Sequence, residues 1–344
     1  RATQTFPIAE PIPTADNVYF RQLPLSPRWL YRIWYRLRLP LPVQLFTGAV
    51  DLFHSPDFVL PPVLGNTPTI LTVHDLSFAF YPETFTPALV NYLERVVPWS
   101  VRRATHVLAD SDSTRRDLIR LYGTPGEKIT VLYSGVHERF TVTPGERALG
   151  EVRKKYEVGD APFIFTVGTL QPRKNTQLLI RAFRAVAAQT DYNLIIAGGR
   201  GWLYEKMMAE VDRQELQGRV RFVGFVDDDD LPALYRAASL FVFPSLYEGF
   251  GLPLLEAMAS GTAVISSNAS SLPEVAGDAA VQISPHDKVA WTDAMLRLIR
   301  NHRLREQLVA AGRRQAQRFR WSRAAQQLLD VYERVLGEGQ DALS

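Results

Sequence analysis

The chain of 344 residues contains no cysteine, which excludes disulfides and thiolate metal sites. It also lacks any apolar run of about 18 residues or more, the length that a membrane-spanning helix requires. Its hydrophobic stretches are short and broken by proline, glycine or charge. Neither sign of charge dominates: 39 Lys and Arg, most of them arginine, face 36 Asp and Glu. The formal excess of +3 is dispersed, with no basic stripe interleaved with stacking aromatics, so nucleic-acid binding is not expected. What remains is a globular balance, 46% hydrophobic and 22% charged, in a chain long enough for two domains. The absence of cysteine fits a cytoplasmic location.

Continuous apolar runs alternate with amphipathic stretches. The runs at 51–55, 69–74, 106–110 and 129–133 read as strands of a first half. Those at 162–168, 192–198, 220–224, 239–243, 262–266 and 280–283 read as strands of a second. Between them, 176–189, 203–216 and 230–238 have helical spacing. Apolar strands separated by helices imply a parallel sheet covered on both faces. The expected fold is therefore α/β, two doubly wound domains facing a cleft. Linker-like composition over 140–160 divides them into 1–143 and 144–344. From 289 to 337 the pattern is helical only, and the last helix, about 320–337, is expected to pack back on the first domain. A doubly wound domain normally opens with a strand, a glycine turn and a helix. Here residues 1–7 are polar and the first convincing strand is 17–23, so the first domain is expected to be incomplete at its start.

The most informative stretch is Tyr247-Glu248-Gly249-Phe250-Gly251-Leu252-Pro253-Leu254-Leu255-Glu256. It follows the 239–243 strand and runs into a helix beginning near Pro253, the place where open α/β sheets bind ligands. Glycines flanking Phe250 let backbone amides approach a ligand, and a helix amino end favours negative charge. Glu248 falls in the loop and Glu256 in the first helical turn, both able to accept hydrogen bonds from sugar or ribose hydroxyls. Alone, the two would equally read as a loop charge and a helix-start acid. Arg173-Lys174 upstream supplies cations for a diphosphate, while Asn175 suits a helix cap. His74-Asp75 sits at a strand's carboxyl end. The acids 227–230 precede a helix and read as a solvated helix start rather than a metal site. Segment 27–38 places Arg28, Arg32 and Arg36 on one helical face among Trp and Tyr. That pattern would suit peripheral contact with an anionic membrane, or equally packing of its aromatics on the first sheet.

These residues, with Thr72-Val73-His74-Asp75-Leu76, Ala109-Asp110-Ser111, Gly168-Thr169-Leu170-Gln171-Pro172-Arg173-Lys174-Asn175 and Ser271-Leu272-Pro273-Glu274-Val275-Ala276-Gly277-Asp278, resemble a retaining glycosyltransferase of family 4, with the GT-B fold and a mannosyltransferase-like flavour. The resemblance implies transfer of a sugar from a nucleotide-sugar donor, GDP-mannose or a UDP-sugar, to a glycan or glycolipid hydroxyl. It implies neither metal nor cofactor, and a location at most peripheral to the inner face of the membrane. By position, Glu248 and His74 would contact the donor sugar and Glu256 the ribose. Lys174 would bind the diphosphate, and the amides of Gly249, Phe250, Gly251 and Leu252 would line the sugar and diphosphate. Many members carry arginine where Thr169 stands, so Arg173 would supply the second positive charge. A non-catalytic nucleotide-sugar binder of the same fold is the alternative.

Overall fold

The computed structural model describes residues 39–341 apart from 200, 202 and 203, together with 29, 33 and 34. The strand expected at 17–23, nearly all of segment 27–38 and any opening βα unit lie outside the described residues. Two compact units are distinguished, Arg1–Asp51 with Pro61–Thr67, and Leu52–Leu60 with Pro68–Ser344. In the first, the one-turn helix Gln44–Thr47 is tied to the returning segment, Val43 N–H donating to the Pro62 carbonyl at 2.9 Å and Gln44 Nε2 to Thr67 Oγ1 at 3.2 Å. The second unit contains both sheets.

The first sheet is β1 (Phe53–Ser55), β2 (Thr69–Val73), β3 (His106–Ala109) and β4 (Ile129–Val131), all parallel and in sequence order. The second comprises β5 (Phe163–Val167), β6 (Asn193–Ala197), β7 (Val220–Gly224), β8 (Leu240–Phe243), β9 (Ala263–Ser267) and β10 (Ala280–Ile283), parallel in the order β10-β9-β8-β5-β6-β7. All ten strands fall where the apolar runs place them. The connecting helices are α1 (Pro87–Arg103), α2 (Asp112–Tyr122), α3 (Glu146–Lys155), α4 (Thr176–Ala187), α5 (Tyr204–Arg213), α6 (Leu231–Ala237), α7 (Leu252–Ala259) and α8 (Leu272–Ala276). Three more close the chain, α9 (Lys288–Arg300), α10 (His302–Ala316) and α11 (Trp321–Asp341).

Side chains alternate between the two faces of each strand, which explains why the strands had to be apolar throughout. In the second sheet Phe163, Phe165, Phe241 and Phe243 enter one core, and Ile164, Leu240 and Val242 enter another. In the first sheet Leu71, Val73, Val107 and Ala109 pack with α1 residues Leu93, Val97 and Val101. The opposite face, Ile70 and Leu108, is covered by Val331 and Val335 of α11. Polar contacts fix that helix: Gln327 Nε2 donates to the Val131 carbonyl at 2.8 Å, and His54 Nδ1 lies 2.7 Å from Tyr332 Oη.

The winding of the second sheet determines where its crevice lies. From β5 the chain moves outward through β6 and β7, then returns to the other side of β5 to lay down β8, β9 and β10. The reversal therefore falls between the neighbouring strands β5 and β8, and the loops leaving their carboxyl ends flank it. One expectation needs correction. Helix α7 begins at Leu252, with Gly251 at its N-cap, so Glu256 is its fifth residue and opens the second turn, one residue further along than a start at Pro253 implied.

Leu108, fully buried between first sheet and α11, should cost about 2–5 kcal/mol when changed to alanine. Leu329→Ala, on an exposed position of the same helix, should change stability by no more than about 0.5 kcal/mol. Urea unfolding midpoints measure both.

Candidate active site

At the reversal point the residues after β5 and β8 meet. A one-turn 3₁₀ helix, Pro172–Lys174, carries the two cations, and the Leu246 N–H donates to the Arg173 carbonyl at 2.9 Å, tying the loops together. Glu248 then projects between the cations: Lys174 Nζ lies 2.7 Å from Oε1 and Arg173 Nη1 lies 3.1 Å from Oε2. Behind it, Ser270 Oγ accepts from the Glu248 N–H at 2.7 Å, and Ser271 Oγ donates to the carbonyls of Glu248 and Phe250 at 2.9 and 2.8 Å. The carboxylate is buried, which by itself raises its pKa. The charges of Lys174 and Arg173, with the Lys174 hydrogen bond, outweigh burial and leave it below the ordinary carboxylate value. Arg173 Nε is also buried and has no hydrogen-bond partner among the described residues, so the cluster holds a donor in reserve.

His74 approaches from the end of β2. Register pairs Val73 with Ala109, so the next residues, His74 and Asp110, emerge side by side. His74 Nδ1 lies 2.8 Å from Asp110 Oδ2 and Nε2 lies 3.0 Å from the Pro56 carbonyl. Both partners only accept, so the ring satisfies them best when protonated on both nitrogens. The Asp110 hydrogen bond is the largest influence on its pKa and, against the opposing effect of burial, raises it. The rim of Phe58 meets the imidazole edge-on at 5.5 Å.

The Glu248 turn and the His74 turn touch at Gly249. A Cβ there would lie 2.3 Å from the His74 carbonyl oxygen and 3.0 Å from Asp75 Cβ, so no larger residue fits without separating the loops. Two residues on, Gly251 adopts φ +111° and starts α7 with no side-chain cap. Phe250 turns inward, its ring 6.0 Å from Tyr133 and 5.6 Å from Phe319. Thr169 is exposed beyond β5, and Leu252 is partly exposed at the start of α7.

Glu256 is not joined to the cations by any hydrogen bond among the described residues. Tyr235 Oη donates to its Oε2 at 2.9 Å. Burial raises its pKa to about 7, against the opposing Tyr235 hydrogen bond and Arg139 charge. The acidic run is partnered elsewhere: Lys155 Nζ reaches Asp227 at 2.7 Å and Asp230 at 2.5 Å, and Arg139 lies 3.8 Å from Asp228 and Asp229. No group of three or more His, Cys, Asp or Glu is arranged to hold a metal ion among the described residues. No helix there is long and apolar enough to cross a membrane.

Sequence reasoning assigned no role to Asp110, Ser270, Ser271 or Tyr235. Asp110 could have been found by aligning the ends of neighbouring strands. The serines and Tyr235 carry no comparable signal, because they are ordinary residue types brought in by the fold.

Two parallel α/β sheets, with charged residues converging where strand ends meet, define a GT-B type protein. Residues 150–315 match the family described as Glycosyl transferases group 1, and residues 3–140 match Glycosyltransferase Family 4. The chain is 36% identical over 284 residues to the O-antigen chain mannosyltransferase B of Escherichia coli, covering 82% of this chain and 74% of that one. It is 31% identical over 304 residues to the serotype-specific mannosyltransferase WbdA of Escherichia coli, spanning 84% of this chain but only 36% of that longer relative. Among solved structures, Anabaena HepE in complex with UDP and glucose superposes with a TM-score of 0.72 at 20% identity, over 88% of this chain and 83% of that one. The chain belongs to glycosyltransferase family 4.

Glu256 gives a pH prediction. Its carboxyl has an ordinary value of 4.5 and a folded value of about 7, so the fold holds its proton more tightly than the unfolded chain does. Ionising it in the fold therefore costs stability as pH rises from about 4.5 to about 7, on the order of 3 kcal/mol. Glu256→Gln escapes that cost and keeps an acceptor for Tyr235. Its melting temperature should exceed that of the wild type at pH 8 and show no gain near pH 4.5.

Proposed function

We propose that this glycosyltransferase moves mannose from a nucleotide sugar to a hydroxyl of a glycan or glycolipid, with retention at the anomeric carbon and without a metal ion. The observation that carries the reading is that the turn holding Glu248 between Arg173 and Lys174 touches, at Gly249, the turn that carries His74 from the first sheet. The O-antigen chain mannosyltransferase and the serotype-specific mannosyltransferase that the chain is similar to favour mannose as the sugar, and the first favours a glycan chain as the acceptor.

In this reaction the bond from the anomeric carbon to the diphosphate oxygen breaks, and negative charge gathers on the leaving group. Arg173 and Lys174 balance one carboxylate with two cations, which leaves a net positive charge beside the α7 amino end for the diphosphate. The spare Arg173 Nε–H adds a donor. Glu248, held ionised, accepts from donor-sugar hydroxyls with its free lone pairs, while Glu256 accepts from the ribose. Amides of Gly249, Phe250, Gly251 and Leu252, with Thr169 across the crevice, line the sugar and diphosphate. The acceptor oxygen attacks from the face the diphosphate leaves, and its proton passes to a leaving phosphate oxygen. No covalent nucleophile from the protein is then required, so the chain acts chiefly by positioning and charge stabilisation. His74, its affinity for a proton raised by Asp110, faces the sugar from the opposite sheet.

The test compares GDP-mannose, UDP-glucose and the free diphosphates. The true donor at a hundredfold its dissociation constant should stabilise the protein by about 2.7 kcal/mol. Lys174→Ala should weaken nucleoside diphosphate binding roughly 10- to 100-fold, the worth of a hydrogen bond to a charged group. His74→Ala should lower kcat about 100-fold and leave that binding within threefold. Stabilisation by UDP-glucose alone would refute mannose. Donor binding without transfer to any hydroxyl would identify a non-catalytic binder, and an inverted anomeric signal in the product would refute retention.

A further inference from the structure

The segment that fastens the donor turn also reaches the other sheet. Ser270 and Ser271 hold the backbone of Glu248, and three residues later Glu274, in α8, extends to the amino end of α2. Its Oε2 accepts from the Asp112 N–H at 2.9 Å and from Tyr133 Oη at 2.9 Å, and its Oε1 accepts from the Ser113 N–H at 3.0 Å. The 11-residue helix α2 leads directly from the strand whose end carries Asp110, the partner of His74. The same helix steadies His74 itself, since Thr114 Oγ1 donates to the His74 carbonyl at 3.2 Å. One carboxylate thus joins the segment that fixes Glu248 to the helix that fixes His74.

Neighbouring contacts follow the same seam. Tyr247, adjacent to Glu248, donates from Oη to Asp117 Oδ2 of α2 at 2.5 Å and stacks on Phe80 at 5.5 Å. Gly249 rests against the His74 carbonyl. Of these, only the Glu274 contact places a full negative charge on unpaired amides at a helix start, where it is favoured. Glu274 is only partly buried, so water can satisfy both sides when the contact opens. A contact of that kind can form and break in each catalytic cycle.

We propose that Glu274 is a positioning residue that latches the two sheets together in the arrangement that sets His74 opposite Glu248. It touches no reacting atom, and the proposal rests on the glycosyl-transfer reading. The native absence of cysteine makes a direct test possible. Leu89→Cys on α1 and Val289→Cys on α9, both exposed, accept a pair of fluorophores, and energy transfer between them reads the separation of the sheets. Glu274→Ala should lengthen and broaden that distance and lower kcat at least tenfold, with GDP and UDP dissociation constants within threefold of wild type. Glu274→Gln, which keeps one acceptor oxygen, should fall between and carries the test if the alanine variant does not fold. An unchanged distance, an unchanged kcat, or a diphosphate affinity that falls in step with kcat would overturn the latch. If the wild type transfers no sugar, the glycosyl-transfer reading fails separately, and the distance measurement alone decides the latch.

Discussion

The site depends on one buried carboxylate held between two cations. Stripping water from Glu248 is costly, and the fold tolerates it because Lys174 and Arg173 stand within 3.1 Å. Those cations are in reach only because β5 and β8 are sheet neighbours laid down in opposite directions of winding. The reversal of strand order, the paired loops and the ionised Glu248 are thus successive consequences of one topology. Loss of either cation would leave the buried Glu248 with a single partner, and loss of both would leave its charge uncompensated, so this part of the site serves the fold as much as the chemistry.

A second constraint is steric. Glu248 and His74 arise more than 170 residues apart on different sheets, and their turns meet with no room for a Cβ at Gly249. Polar contacts flank that touching point, Tyr247 to Asp117 and Glu274 to the start of α2, and join the two halves across it. Phe250, Tyr133 and Phe319 add an aromatic cluster between the halves. Precision at the crevice therefore arises from the seam as well as from the residues that line it.

Most of the fold was legible in the sequence because parallel strands covered on both faces must be apolar without interruption. That signal located every strand from Phe53 to Ile283. The cations and Glu248 were legible because they sit at strand ends, where ligands bind in this class of sheet. What escaped was whatever depends on adjacency rather than spacing. The Asp110 contact with His74 follows from register between β2 and β3. The depth of Glu256 turned on the backbone conformation of Gly251, and its partner Tyr235 comes from a neighbouring helix. Glu274 reads as one more acid in a short helix until the first sheet and its helix α2 are brought beside it.

The last helix carries an implication for dissecting the molecule. Val331 and Val335 seal a face of the first sheet although they come from the chain's far end, and His54 pairs with Tyr332 across 278 positions. Cutting the chain at the linker would strip Ile70 and Leu108 of their cover and leave a sticky fragment. Any hybrid that exchanges the half built on the first sheet between relatives must therefore transplant two separate pieces of sequence, the segment that forms that sheet and the carboxyl-terminal helix that covers it, as a matched set.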